Sequence, residues 1–378
     1  MRLLELQDES DSLRACAAAG RLSDDPNLRG WAALVPLEPK VLAEGLKHAG
    51  LAVYKGSKAA LALGSLAQIW GAARSLADGL ERAEPKRLAR ELCDRAAAVE
   101  AGPPAWKLRS RTLPAGRTLV MGIVNVTPDS FSDGGRLATA DQAIAHAQRL
   151  VSEGADLIDV GGESTRPGAA AVSAEEELAR VLPVVRALTA GGIVVSIDTT
   201  KSQVARAALD AGAEIVNDVS ALAADAGMAA VVAAEGAAVC LMHRRGGPAD
   251  MQSRAVYEDL LGEVLGELEQ ALERARGIAP ERIALDPGLG FAKTHAHNLL
   301  LLRRQRELTQ LGRPLVIGPS RKAFLGQLSG KPPAERVIGT AAAAAHAAWA
   351  GAAIVRVHDV AEVREALAVT DAIRTSRS

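Results

Sequence analysis

From Leu119 onward, short runs of Val, Ile, Leu and Ala recur along the chain. Each is followed by a stretch in which apolar residues return every three or four positions. The runs predict strands at 119–126, 157–162, 193–198, 214–219, 238–243, 283–287, 314–319 and 354–358. The periodic stretches predict helices, among them 140–153, 173–188 and 257–276. Eight strand–helix units in roughly 250 residues are what a (β/α)8 TIM barrel requires. A doubly wound sheet would show the same alternation, but no glycine-rich dinucleotide fingerprint opens the first helix.

The first hundred residues follow a different pattern. Stretches 2–19 and 66–99 are rich in Ala, Leu, Arg and Glu and read as helical, whereas 30–37 and 51–63 can each hold a strand. This predicts a small α/β or mostly helical module over 1–101, joined through Glu100-Ala-Gly-Pro-Pro-Ala to a barrel over 105–378. Lys55-Gly56-Ser57-Lys58 lacks the glycine spacing of a phosphate loop and reads as a turn. Residues 106–113 alternate and are followed by Pro114-Ala-Gly, a hairpin suited to plugging the bottom of the barrel.

Composition narrows the function classes. Across 378 residues the formal net charge is −1 and aromatics make up 2%, which leaves neither a basic nucleic-acid footprint nor stacking platforms. Cys16, Cys93 and Cys240 are scattered without metal-ligand spacing, as expected of a reducing cytoplasmic protein. The N-terminus lacks the apolar core of a signal peptide. The apolar run 339–355 is Ala-rich, interrupted by His346 and split by Gly351; it reads as a helix followed by a strand, and no membrane association is expected.

Polar residues fall at the strand ends. The first strand holds Asn125 and breaks into Thr127-Pro128-Asp129-Ser130, a loop with Phe131 and Asp133 ahead of Gly134-Gly135. An amide in an apolar strand costs free energy unless something polar meets it. Later strands end in Asp159-Val-Gly-Gly-Glu-Ser-Thr-Arg-Pro-Gly, Asp198, Asn217-Asp218, Met242-His243, Asp286-Pro-Gly, Ser320-Arg321-Lys322 and Arg356-Val-His358. Singly, Asp198 can be a helix cap, and Asn217-Asp218 or Asp286-Pro287-Gly288 a turn. Together they converge on the C-terminal face of a barrel, where sites are built in this fold. Asp198, Asn217 and Asp286 suit the edge of a donor-rich flat heterocycle, and Arg166, Lys322, Arg356 and His358 suit an anion such as an oligophosphate. Arg356 can alternatively lie flat on a ring. His295-Ala-His297 has i,i+2 spacing, which diverges on a helix, so it reads as a helix start rather than a metal pair.

Residues 121–135, with Asp-Val-Gly-Gly-Glu-Ser-Thr-Arg-Pro-Gly, Ser-Ile-Asp-Thr, Ile-Val-Asn-Asp, Asp-Pro-Gly-Leu-Gly-Phe-Ala-Lys, Gly-Pro-Ser-Arg-Lys and Arg-Val-His-Asp-Val, resemble the dihydropteroate synthase family in order and in kind. The resemblance implies a folate-pathway transferase. Such an enzyme joins 4-aminobenzoate to 6-hydroxymethyl-7,8-dihydropterin diphosphate with Mg²⁺, as a homodimer. It assigns Asp198, Asn217, Asp286 and Lys322 to the pterin ring, with Met242 packing nearby and Arg356 stacking on it. Asn125, Arg166 and His358 go to the diphosphate, with Asn125 also at the Mg²⁺. Phe131 and Asp133 in the first loop, and Thr165 and Pro167 in the second, close over the aminobenzoate. Phe131, Asp133, Arg166, Lys322 and His358 are the positions it implicates in catalysis. Ala323 departs from the pattern, standing where many relatives carry Ser. A pterin-binding methyltransferase domain would share the Asp/Asn/Asp pocket without needing the Ser-Thr-Arg-Pro-Gly loop or the Ser-Arg-Lys strand end. A catalytically silent homologue would have lost loop or anion residues that are present here.

Overall fold

A computed structural model describes residues 1–6, 15, 30–126, 140–164 and 171–376. It divides into two compact units: Met1–Gly102 together with Arg304–Gly312, and Pro103–Arg303 together with Arg313–Ser378.

The first unit is a four-stranded antiparallel sheet of β1 (Arg2–Leu6), β2 (Gly30–Val35), β3 (Ala52–Lys55) and β4 (Ala60–Gly64), in the order β1-β2-β4-β3. Helices Lys40–His48, Leu66–Gly79 and Ala83–Ala101 bury Leu42, Leu46, Ile69, Ala73, Leu88 and Leu92 in a common core with Leu3 and Ala33 of the sheet. Ser65 opens the second helix with a capping box, its side chain taking the Gln68 N–H while Gln68 takes its own. Lys55–Ala60 is the turn of a hairpin, as its composition suggested, with Gly56 N donating to Ala59 O at 2.9 Å.

The helix expected from residue 2 is a strand over Arg2–Leu6. Leu3 faces the helical core, and Leu4 and Leu6 pack with Ala32 and Leu61 on the other face, so the run of Leu carries no period-2 signal. Cross-strand pairing here overrides the helix propensity of Leu, Glu and Arg. The free edge of β1 is met by Arg304–Gly312, taken from the middle of the region expected to be barrel. Gln310 accepts from Leu3 N at 2.9 Å and donates to Leu3 O at 3.1 Å, and Glu307 accepts from Glu5 N at 2.9 Å. Side-chain amide and carboxylate thus stand in for a neighbouring strand.

The second unit is the eight-stranded parallel barrel. Its strands are β7 (Leu119–Asn125), β8 (Leu157–Gly161), β9 (Val195–Asp198), β10 (Ile215–Asp218), β11 (Ala238–Met242), β12 (Ile283–Asp286), β13 (Val316–Ile317) and β14 (Ile354–Val357). They run β12-β11-β10-β9-β8-β7-β14-β13, and a parallel bridge between Leu285 and Leu315 joins the two ends. β13 is short because Pro314 precedes it and Gly318-Pro319 follows. Between strands lie helices such as Ala140–Ser152, Ala174–Ala190, capped by Ser173, and Leu260–Arg274, capped by Asp259.

Before the barrel, β5 (Trp106–Lys107) and β6 (Thr112–Leu113) pair as a hairpin. Trp106, Leu108 and Leu113 pack with Leu119, Leu157, Ile215, Ala238 and Ile354, the first residues of their strands, and so close the N-terminal mouth. The run 339–355 becomes helix Val337–Trp349 and then β14. Among the described residues, no helix is long and apolar enough to cross a membrane.

A chain beginning at Ala105 retains Arg304–Gly312 without the strand it serves. Trypsin should cut that shortened chain at Arg304 or Arg306 and spare both in the full chain. Equal protection in the two chains would show that the segment holds its shape without β1.

Candidate active site

With the N-terminal mouth filled, the C-terminal ends of the strands carry the polar groups. Asp159 on β8 is fully buried. It accepts from Asn217 Nδ2 on β10 at 3.0 Å and from Arg356 Nε on β14 at 2.6 Å. Arg356 then reaches Asp198 Oδ2 on β9 with Nη2 at 2.7 Å. One guanidinium therefore ties three strand ends, and the adjacent amide ties a fourth. Burial works to strip Arg356 of its proton, but Asp159 and Asp198 outweigh it and hold its pKa above the ordinary value. Burial pushes the Asp198 carboxyl up to about 7, with Arg356 opposing and Asp159 reinforcing the shift.

Asp286, at the end of β12, is buried and its pKa is raised by that burial, against the pull of the Gly288 N–H and of the Lys322, Arg356 and Lys293 charges. Gly288 N donates to Asp286 Oδ1 at 2.6 Å. Gly288 has φ +69°, and a Cβ there would stand 2.0 Å from the His243 carbonyl oxygen, so only glycine fits this turn. Met242 Cγ lies 3.3 Å from the same point, which places it beside the Asp286 turn. Asn125 ends β7 opposite Gly161. Its Oδ1 and Asp198 Oδ2 each stand 3.7 Å from where a Cβ on Gly161 would sit, so both face the small space that this glycine leaves open.

The seventh and eighth strand ends supply cations. Arg321 adopts φ +55° and turns outward to a paired contact with Asp359, at 3.1 and 2.6 Å. Its carbonyl accepts from Arg336 at 2.9 Å and its N–H donates to Thr340 Oγ1 at 3.1 Å. These partners offset the cost of a left-handed non-glycine residue. The turn directs Lys322 toward the β12 loop, where its Nζ lies 4.4 Å from the Phe291 ring centroid. His358 is fixed by Ser320, whose Oγ lies 2.9 Å from Nδ1 and accepts from His358 N at 3.1 Å.

Asp198, Asn217, Asp286, Met242, Lys322, Arg356, His358 and Asn125 all stand on the face the sequence assigned to them. Asp218 does not join them: its carboxylate accepts from Ser220 N, Ser220 Oγ and Leu222 N at 2.7, 2.6 and 2.9 Å and so builds the turn. Phe131, Asp133, Thr165, Arg166 and Pro167 lie outside the described residues. His295 and His297 begin helix His295–Arg303, as their spacing implied. The sequence reading placed Asp159 at a strand end but gave it no role. Its signal was an acid inside Leu-Ile-Asp-Val-Gly.

The sequence profile of the pterin-binding enzyme family matches residues 121–358. Two relatives named dihydropteroate synthase, from Synechocystis sp. and Escherichia coli, are 49% and 47% identical over 68% of this chain and 90% and 92% of their own lengths. The chain belongs to the dihydropteroate synthase family of pterin-binding enzymes. The Yersinia pestis synthase, solved with a sulfonamide drug, superposes with a TM-score of 0.70 at 47% identity, covering 72% of this chain and all of that one. The Xanthomonas albilineans synthase, solved with 4-aminobenzoic acid, superposes with a TM-score of 0.68 at 46% identity over 73% of this chain and all of its own. That enzyme has also been solved with 7,8-dihydropteroate, at a TM-score of 0.66, 43% identity and 72% and 100% coverage.

Replacing Arg356 with Met leaves Asp159 and Asp198 without their shared cation. The expected loss of stability is about 3–5 kcal/mol at pH 8. Asp198 already titrates above the unfolded carboxylate value, and losing the cation raises it further. Protonation then relieves the penalty as pH falls through the folded pKa, so the loss should shrink at pH 5. Urea denaturation at both pH values measures it. An equal loss at both would show that Arg356 acts through packing alone.

Proposed function

We propose that the chain is a dihydropteroate synthase acting through the residues gathered at the barrel mouth. It joins 4-aminobenzoate to 6-hydroxymethyl-7,8-dihydropterin diphosphate, giving 7,8-dihydropteroate and diphosphate. The observation that carries this reading is the wall formed by Asp159, Asn217, Arg356 and Asp198, with buried Asp286 nearby. Such a wall offers ionisable acceptors to the ring N–H groups of a pterin, and an amide that both donates and accepts.

In this reading Asp198, Asn217 and Asp286 hold the ring edge, Lys322 reaches the ring from the seventh strand end, and Met242 packs against it. Arg356 lies against the ring while it faces the phosphates. His358, oriented by Ser320, takes the diphosphate together with Asn125 and Arg166. Electrostatic stabilisation of the departing diphosphate, with carboxylates near a cationic pterin methylene, favours loss of diphosphate before the arylamine attacks. Phe131, Asp133, Thr165 and Pro167 take the arylamine side on the strength of the family motifs. Magnesium suits this donor set. The Asn125 amide oxygen is a hard donor at a strand end, of the kind that magnesium takes together with phosphate oxygens. Asn125 would hold the ion, which when bound neutralises diphosphate charge.

A homodimer is part of the same reading. Helices Val337–Trp349 and Val360–Thr375 leave Ile338, Trp349, Val369 and Ile373 exposed, apolar surface that a second copy would cover. The free thiols Cys93 and Cys240 agree with a reducing cytoplasm.

Diphosphate release that requires both 4-aminobenzoate and the pterin diphosphate is the direct test; release with either alone would overturn the assignment. Asp286→Asn should weaken a pterin ligand by about 2–4 kcal/mol while the fold survives, because an amide donor then faces a ring donor. Unchanged affinity by calorimetry would reduce Asp286 to a turn residue. A pterin lacking phosphate should bind more tightly as pH rises from 5.5 through about 7, levelling off only once Asp198 is fully ionised. Asp198→Asn should flatten that slope; an undiminished slope would place the titrating group elsewhere.

A further inference from the structure

The chemistry above uses neither Lys293 nor His243, yet both are only 3% exposed. A lysine is rarely buried so fully without a partner that requires it there. Lys293 Nζ lies 2.9 Å from His243 Nδ1 and donates to Phe291 O at 3.0 Å. On the far side of the imidazole, Nε2 stands 3.1 Å from Glu267 Oε2. An ammonium donating to Nδ1 leaves the remaining ring proton on Nε2, which is buried beside the Glu267 carboxylate at contact distance but off the line of a hydrogen bond. Burial, with Lys293 adding to it, holds His243 down to about 4, and burial brings Lys293 down to about 7, against Asp286 and Glu267.

The chain of contacts does not stop at Glu267. Its Oε1 accepts from Arg245 Nε at 2.8 Å, and the Arg245 guanidinium lies 4.0 Å from the Tyr257 ring centroid. Tyr257 OH in turn donates to Ala292 O at 3.0 Å. The path thus leaves the loop at Lys293 and returns one residue earlier. That loop, 286–293, is the one that begins with Asp286 and carries Phe291 toward Lys322. Its backbone is costly, since Ala292 has φ +49° without being glycine. Its other groups are held as well: Asp286 O by His243 N at 2.8 Å, and Gly290 N by Asn298 Oδ1 at 2.7 Å.

We propose that Lys293, acting through the closed circuit Lys293–His243–Glu267–Arg245–Tyr257, is a positioning residue that holds the 286–293 loop in the shape presenting Asp286 to the pterin. This deepens the synthase reading and rests on it for the identity of the ligand. The circuit lies behind the loop, and its work is to keep a strained backbone in one conformation before substrate arrives.

Two variants test this in the full-length enzyme. Lys293→Met removes the ammonium and keeps the bulk, and Tyr257→Phe removes only the hydroxyl at the other end of the circuit. Both should raise the KM for the pterin diphosphate, about tenfold or more for Lys293→Met and about threefold to tenfold for Tyr257→Phe. The KM for 4-aminobenzoate and kcat at saturation should move less than about threefold. In hydrogen exchange, the Gly288 and Gly290 amides should lose protection in both variants, with or without turnover. An unchanged pterin KM in both variants, or unchanged amide protection, overturns the proposal. So does a fall in kcat alone, which marks lost folded protein. A parent enzyme that fails to turn over sinks the synthase reading instead, and leaves the exchange measurement to decide the circuit.

Discussion

The barrel mouth depends on one cation shared between two buried carboxylates. Arg356 bonds Asp159 and Asp198, and Asp159 also receives Asn217, so β8, β9, β10 and β14 are joined by charge-assisted bonds in addition to their ladders. Breaking such an arrangement costs more than forming it gains, because the stranded carboxylates have no water to turn to. Two acids against one base also leave the wall electronegative overall. Electronegativity of that kind favours a ligand that brings N–H donors or positive charge, and it adds to the burial that brings Asp198 up to about 7.

The opposite side of the mouth is held by different means. There the polypeptide is bent into left-handed conformations at Gly288, Gly290, Ala292 and Arg321; Asp286 ties the first from within its own turn, and Asn298, Tyr257 and Asp359 tie the other three. One half of the site is thus stiff because ions are paired on straight strands, the other because costly turns are pinned from behind. Both kinds of stiffness serve preorganisation, since polar groups already aimed need little rearrangement when substrate binds.

Much of this was legible in the residues. Asp198, Asn217 and Asp286 interrupt apolar strands, and an interruption at every strand end of a repeating unit points to one face. What escaped depends on distance along the chain. Asp159 looked like one more strand-end acid because its partner Arg356 is 197 residues away. Lys293 stood in a family motif without a role, since nothing local announces that it meets His243, fifty residues away, with Glu267 beyond. Arg2–Leu6 was mistaken for helix because both faces of that strand are covered. Gln-Arg-Glu-Leu-Thr-Gln-Leu, at 305–311, carries a helix-like pattern that says nothing of its service to β1.

That service bears on how the chain is made. Synthesis delivers β1 long before Glu307 and Gln310, which satisfy its free edge and arrive some three hundred residues later. Until then a growing chain presents an open strand carrying Leu3, Leu4 and Leu6, the template on which stray chains pair. The N-terminal unit is therefore finished only after six of the eight barrel strands have been made. Cut out at residue 102, its sheet would leave the Leu3 and Glu5 backbone groups without the partners that Gln310 and Glu307 supply.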